Sequence, residues 1–224
     1  EKYDYRMLTR ALRSLYHRDQ LLNGIPPSTF NIPSVDETKA RIWIKLEWEA
    51  LRKAITSEGE ERQLAIRDAL IFRGSIRETY PKESDFLNRF ETYEGLATFT
   101  YMKLTSGSRE EYLEALFNNL DNITGYQSYA RSYGFVHGAL YATLLDDMGY
   151  DFSTIKSDTV DLGLLVKDLY SIELPTVCRD VAGSLAFNYD IDRIREDEDH
   201  RAADIKDRLN KQVSIYTEKP VVFF

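Results

Sequence analysis

The chain has 224 residues and a formal net charge of −8. This length supports a full hydrophobic core, and the composition is ordinary for a soluble globular protein. The acidic balance argues against nucleic-acid binding, which needs a basic face. The single cysteine, Cys178, excludes an internal disulfide and a multi-thiolate zinc site. No run of eighteen apolar residues occurs, so no membrane span is predicted.

Apolar residues recur at helical spacing along most of the chain, without the strand–helix alternation of an α/β protein. This pattern predicts an all-α fold packed around one interior. The first predicted helix covers residues 3–22 and carries four leucines near one face, namely Leu8, Leu12, Leu15 and Leu22. The other predicted helices cover residues 36–57, 60–79, 83–104, 108–121, 126–149 and 190–213.

The charge pattern divides the chain into two predicted parts. Residues 1–189 form the helical core, and residues 190–224 form a charged helix followed by a short extended segment that ends in KPVVFF. Because residues 190–213 are strongly charged, we expect their helix to be exposed or to lie at an edge. The chain starts without a methionine or a signal peptide, and we expect it to be a piece of a longer protein.

Three polar residues interrupt apolar helix faces. Glu94 lies on the face that also carries Leu87 and Phe90, Glu47 projects from the apolar side of its helix, and His137 shares a face with leucines. A buried charge is costly unless it is paired or bound to a metal. Two interpretations stay open: structural ion pairs and a hydrogen-bonded core histidine, or one interior functional site lined by all three residues.

His17 lies on the first predicted helix, on the side away from the leucines. It shares that side with Arg6, Arg10 and Arg13, at spacings of three or four residues. Taken alone, this pattern indicates a solvated basic stripe.

Several segments together resemble bacterial HExxH zinc metallopeptidases of the gluzincin kind. In that family one helix supplies two histidines and a general-base glutamate as His-Glu-x-x-His, and a later helix supplies a third ligand in an Asn-Glu-Gly-hydrophobic-Ala context. TYEGLATF, residues 92–99, is similar to the later helix, with Glu94 in the ligand position and Tyr93 in place of Asn. The flanking segments ARIWIKLEWEALRKAI and YARSYGFVHGALYATLLDDMG resemble neighbouring helices, and the chain's end resembles an exit toward a β-rich region absent here.

The motif itself is degenerate in this chain. The segment that aligns with the peptidase motif is RSLYHRDQ, residues 13–20, in which His17 keeps the second histidine. Arg13 replaces the first histidine, and Ser14 replaces the general base. A catalytic zinc needs three protein ligands and an open position for water. Only His17 and Glu94 remain of the family's ligand set, so the resemblance implies a vestigial site without hydrolytic machinery.

Other residues offer ways to rebuild such a site. His137 with His17 and Glu94 would make a set of two histidines and one glutamate, although no local spacing supports it. Glu47 is a further carboxylate that we place near this group. Tyr133 and Tyr141 lie on the helix that, in the resembling family, offers a hydroxyl to the transition state; otherwise they are core tyrosines.

Three functions follow from these observations. The first is a metallopeptidase-like domain that lacks hydrolytic activity, needs no cofactor and acts as a binding or structural module for a peptide or protein. The second is an active zinc-dependent peptidase with an atypical metal site. The third is a structural helical protein unrelated to peptidases. The resemblance also implies export from a bacterial cell.

The replacement of a ligand by arginine predicts a specific contact. A guanidinium is always protonated and binds a carboxylate through parallel hydrogen bonds. We therefore expect Arg13 to pair with Glu94, in the place where a metal ion would lie in the resembling family.

Overall fold

The computed structural model describes residues 2–27 and 30–218. Every regular element in these residues is helical, which confirms the all-α prediction. No helix in the described ranges is both long enough and apolar enough to cross a membrane. The α-helices are α1 (Lys2–Leu22), α2 (Thr38–Thr56), α3 (Gly59–Thr79), α4 (Ser84–Phe90), α5 (Leu96–Thr105), α6 (Arg109–Thr124), α7 (Tyr133–Asp147), α8 (Leu162–Leu169), α9 (Arg179–Leu185) and α10 (Ile191–Thr217), with a π-helical turn, Glu91–Gly95, between α4 and α5.

The core forms around α7, which is apolar on nearly every side. Its residues from Tyr133 to Leu145 are buried apart from Phe135, and α2, α5, α6 and α8 pack around it. Gly134 and Gly138 leave α7 without side chains on the face that packs against the end of α4 and the π turn. A Cβ atom built on Gly138 would lie 2.2 Å from the carbonyl oxygen of Glu91. These glycines therefore let two backbones approach closely.

The π turn interrupts a segment that the sequence predicts as one helix over residues 83–104. A π turn closes hydrogen bonds over one residue more than an α turn, so the faces before and after it are no longer in register. Phe86 and Leu104, which share a face with Glu94 on a regular helix, are 57% and 64% exposed. The helical faces calculated for this segment are therefore wrong at its two ends, while Leu87, Phe90 and Ala97 are buried as expected.

Helix α1 packs in the opposite orientation from the one its leucines suggest. Leu8, Leu15 and Leu22 are 49%, 62% and 77% exposed, whereas Gln20 is buried and Arg13, His17 and the fourth leucine, Leu12, are half-buried. The helix lies along α5 through this polar side. The interpretation of His17 and Arg13 as part of a solvated stripe is therefore wrong, although Arg6 and Arg10 are exposed.

The later helices also differ from the sequence prediction. The helix predicted to start at residue 126 starts at Tyr133, and α8 and α9 were not predicted. Helix α10 is longer than predicted and is not wholly exposed, because Ile191, Ile194 and Glu198 are buried against the core. The predicted extended segment KPVVFF lies outside the described residues.

Candidate functional site

The π turn carries two carboxylates that contact different parts of the molecule. Glu91 is fully buried and contacts α3 and α7, whereas Glu94 contacts α1 and keeps 13% of its side chain exposed. Two polar clusters form around these carboxylates. We call them the Glu94 cluster (Arg13, His17, Gln20, Glu94) and the Glu91 cluster (Glu47, Arg73, Glu91, His137, Asp161 and the side chains bonded to them).

The predicted pair between Arg13 and Glu94 is present. The Nη2 atom of Arg13 lies 2.5 Å from Oε2 of Glu94. The guanidinium also lies over the ring of Phe135, 4.9 Å from its centroid, which adds a cation–π contact. Burial raises the pKa of Glu94, but the adjacent Arg13 guanidinium outweighs it, so the pKa lies below its ordinary value. Glu94 is therefore held as a carboxylate.

Both ring nitrogens of His17 are engaged inside the protein. The side-chain NH2 group of Gln20 donates to the carbonyl oxygens of Thr92 and Tyr93, both at 3.1 Å. These two bonds fix the orientation of the amide, so its oxygen is the atom that faces His17. That oxygen lies 2.8 Å from Nδ1 of His17, so Nδ1 carries the proton. Nε2 then accepts a hydrogen bond from Nε of Arg13 at 3.2 Å.

These contacts decide how well the Glu94 cluster fits a zinc ion. The cation of Arg13 already lies against Glu94, and the Nε2 lone pair of His17 already points at Arg13. Ser14, which aligns with the general base of the resembling family, is exposed. Within the described ranges no group of three or more His, Cys, Asp or Glu side chains is arranged to hold a metal. In this arrangement, therefore, the cluster does not fit a catalytic zinc, which needs three free protein ligands.

The Glu91 cluster is built on a buried guanidinium. Arg73 of α3 is 4% exposed, and its Nη2 atom lies 2.6 Å from Glu91 and 2.8 Å from Asp161. Arg77, one turn later, donates to Glu91 at 3.0 Å. Burial raises the pKa of Asp161, but Arg73 and Arg77 outweigh it and lower the pKa to about 2. Opposite charges thus compensate one another inside the core.

His137 belongs to the Glu91 cluster. The indole of Trp48, which can only donate, points its Nε1 hydrogen at Nδ1 of His137 over 2.9 Å, so Nδ1 is unprotonated. Because a neutral imidazole keeps one proton, that proton lies on Nε2, which is 3.0 Å from its acceptor Glu47; the 3.1 Å contact of Nε2 with Nη1 of Arg73 then joins two donors and is not a hydrogen bond. With that proton in place, Nε2 has no lone pair for a metal. The set of His137 with His17 and Glu94 is therefore not assembled, and Glu47, which we expected near that group, contacts His137, Arg73 and Tyr141.

The two tyrosines also point into the Glu91 cluster. Tyr133 donates to Glu91 at 2.8 Å, and Tyr141 donates to Glu47 at 2.6 Å. Both are fully buried, and burial together with the neighbouring carboxylates raises their pKa values well above the ordinary value of a phenol. In this structure both hydroxyls bind buried carboxylates, which is the role of core tyrosines, and neither is directed at Glu94.

The comparisons with known proteins return no relatives. No family model, curated protein or solved structure matches this chain. The likeness to gluzincins therefore depends on the motif residues alone, and the geometry of the two clusters has to carry the functional argument.

Sequence reasoning missed Arg73 and Asp161, and it gave Gln20, the last residue of the aligned motif segment, no role. The signal for Arg73 was available, because it lies between Ile66 and Ala69 on an apolar helix face, as Glu94 lies among apolar residues on its own helix. Asp161 resembled an ordinary helix start, and its Oδ1 atom does cap α8 by accepting from the backbone of Gly163 and Leu164. Its second role, the pair with Arg73, depends on where α8 packs.

Proposed function

We propose that this chain is a metallopeptidase-like helical module without hydrolytic activity, which acts by binding a peptide or protein or as a structural domain. The single observation that supports it is the Arg13 guanidinium at 2.5 Å from Glu94. Arginine supplies a permanent positive charge where the resembling peptidases place their metal ion, and it cannot act as a ligand.

The neighbouring residues are consistent with this proposal. The hydrogen bond from Arg13 to His17 engages the nitrogen that would otherwise bind a metal. A serine at position 14 is a poor base at neutral pH, so water activation has no obvious agent. The cluster is thus stabilised as it stands, by an ion pair and a chain of hydrogen bonds.

Zinc binding tests the proposal. The parent and the double variant Arg13→His with Ser14→Glu are loaded with zinc, desalted and analysed for metal. We expect no stoichiometric zinc in the parent, because one ligand position holds a cation. We expect about one zinc per chain, removable by a chelator, in the double variant, because it restores three ligands and the base.

The matched control is Arg10→His with Ser14→Glu, in which the new histidine lies on an exposed position one turn away. This control should bind no more zinc than the parent. The proposal is overturned if the parent carries about one zinc per chain that is lost in His17→Ala, or if it cleaves an unfolded protein substrate in a zinc-dependent way. A folded double variant that binds no zinc would contradict the likeness to gluzincins.

A further inference from the structure

Asp68 of α3 is a buried carboxylate without a cationic partner. Four acidic residues of the described ranges are buried, and an arginine lies 3.7 Å from Glu47, 2.6 Å from Glu91 and 2.7 Å from Glu198. Asp68 is only 7% exposed, yet no lysine or arginine in the described part of the chain lies within 4 Å of it. A buried charge is normally paired, because its desolvation is costly. Asp68 therefore lacks the compensation that the other three carboxylates have.

Two cations near Asp68 do not supply this compensation. Lys53 lies 3.3 Å from Glu61, with which it pairs. Arg67 precedes Asp68 directly, and adjacent residues of a helix point in different directions. Burial raises the pKa of Asp68 above its ordinary value, and the hydrogen bond from Tyr189 together with the two cations does not offset this rise. A further positive charge at Asp68 would therefore be stabilised.

One oxygen of Asp68 faces an open groove. The hydroxyl of Tyr189 donates to Oδ2 at 2.9 Å and fixes the orientation of the carboxylate. Oδ1 accepts no hydrogen bond within the described residues, and it is not one of the polar atoms enclosed there. Asp68 lines a groove of about 600 Å³ between α3 and the turn Ala186–Tyr189 that follows α9, so Oδ1 can be reached from solvent. A volume of this size is typical of small-molecule sites.

The wall of the groove next to Asp68 is apolar. Leu64 and Ala65 lie one turn before Asp68 on α3, and Leu185 also lines the groove. Leu64 is 52% exposed, so this wall is accessible to a ligand. Carboxylates outnumber cations in the lining, and the groove as a whole therefore attracts positive charge. The groove thus combines an apolar wall with one unpaired carboxylate.

We propose that this groove binds a primary ammonium group carried on an unbranched aliphatic stem, with the ammonium on Asp68 and the stem along Leu64 and Leu185. An ammonium is a compact point charge that a single oxygen can accept, whereas a guanidinium pairs best with both oxygens of a carboxylate. Here Tyr189 already binds Oδ2, which favours the ammonium. The groove shares no residue with the Glu94 or Glu91 cluster, so this ligand site goes beyond the proposed function.

Titration of the parent with pentylamine tests the proposal. Pentylamine is protonated at about pH 7, and its binding is followed by NMR of the ¹⁵N-labelled protein in phosphate buffer. We expect a dissociation constant of about 1 mM, as is usual for a ligand this small, with the largest shifts in residues 60–68 and 185–189. 1-Pentanol has the same stem without the charge, and methylamine has the charge without the stem. Each should bind at least about tenfold more weakly than pentylamine.

Substitutions at the two parts of the groove separate charge from stem. Asp68→Asn keeps the shape of the side chain and removes its charge, so it should weaken pentylamine binding by about tenfold or more. Asp168→Asn, at a side chain that is 74% exposed and outside the groove, is the matched control and should bind pentylamine as the parent does. Leu64→Ala removes part of the apolar wall and should weaken pentylamine by about threefold while leaving methylamine unchanged.

A blocked lysine, Nα-acetyl-lysine N-methylamide, distinguishes the two sources of such an ammonium. Tighter binding than pentylamine assigns the groove to a lysine side chain of a partner protein, and weaker binding assigns it to a free amine. The proposal is overturned if the parent shows no binding at about 20 mM pentylamine, if 1-pentanol binds as tightly, or if Asp68→Asn weakens binding no more than Asp168→Asn does. If Asp68→Asn does not fold, the comparison with 1-pentanol and the Leu64→Ala variant decide between these outcomes.

Discussion

Glu91 and Glu94 lie three residues apart in one π-helical turn, and each binds an arginine of a different helix. Glu91 pairs with Arg73 of α3 at 2.6 Å, and Glu94 pairs with Arg13 of α1 at 2.5 Å. Residues three apart lie on one side of an α-helix, and the wider π turn separates them. The turn therefore links the buried core to a helix at the surface.

The Arg13–Glu94 pair should stabilise the fold only moderately. The Arg13 side chain is 38% exposed, so solvent screens the pair, and the loss of about 3–5 kcal/mol expected for a fully buried pair does not apply. We expect Arg13→Ala to lower the free energy of unfolding by about 1–2 kcal/mol, because Glu94 is left largely desolvated. Urea denaturation of Arg13→Ala, Glu94→Ala and the double variant gives the coupling between the two side chains.

The exposed Arg10→Ala, one turn away, is the control for that cycle and should change stability by less than about 0.5 kcal/mol. A coupling energy of zero, with Arg13→Ala as stable as the parent, would contradict the pair in solution.

Removal of Arg73 should be far more damaging. Arg73→Met leaves Glu91 and Asp161 without their main cation in a buried setting, and we expect a loss of about 3–5 kcal/mol in the free energy of unfolding. Arg67→Met, on the same helix at a half-buried position, is the matched control and should cost less than about 1 kcal/mol. Equal denaturation midpoints for the two variants would show that the Glu91 cluster does not depend on Arg73.

Acid should unfold the protein through these carboxylates. The pKa values of Glu91 and Glu94 are below their ordinary value, and that of Asp161 is lowered to about 2. A carboxyl group with a lower pKa in the folded chain contributes stability that is present above its unfolded pKa and is lost as the pH falls through the folded value. The free energy of unfolding should therefore fall steadily below about pH 4.5.

Asp161 alone should account for about 2 kcal/mol of this change. In Asp161→Asn the free energy of unfolding should fall less steeply between about pH 4 and pH 2 than it does in the parent. Urea titrations at each pH measure this. Asp168→Asn, at a side chain that is 74% exposed, is the control, and its free energy of unfolding should fall with pH as steeply as that of the parent. Identical slopes for Asp161→Asn and the parent would contradict the lowered pKa.

Gly138 should not tolerate a side chain. In Gly138→Ala the new methyl group would lie 2.2 Å from the Glu91 carbonyl oxygen and 2.8 Å from the Cα atom of Gly95. Both are backbone atoms of the π turn, so relief requires the turn to move, and we expect thermal unfolding to show a loss of about 1–3 kcal/mol or more. Gly183→Ala in α9 meets nothing within 4 Å and should be neutral or stabilising by up to about 1 kcal/mol. Equal stability of the two variants would contradict the close contact.

The sequence by itself determined the all-α class and the approximate extents of α1, α2, α3 and α6, because a helix is largely set by local periodicity and by nearby glycines and prolines. It also identified Glu94, Glu47 and His137, since a polar residue on an apolar face has to find a partner. The Arg13–Glu94 contact was also predicted, from the resemblance to gluzincins in which Arg13 would take the place of a metal ligand beside Glu94.

Only the tertiary structure decided how these residues divide into two clusters. His137 and Glu47 join Arg73 because α2, α3 and α7 meet there, and contacts between residues 64 to 94 positions apart along the chain are not contained in any local pattern. The packing also decided that α1 faces inward with Arg13 and outward with Leu8, Leu15 and Leu22. Periodicity shows which face of a helix is apolar, whereas which face is covered depends on the neighbour it meets.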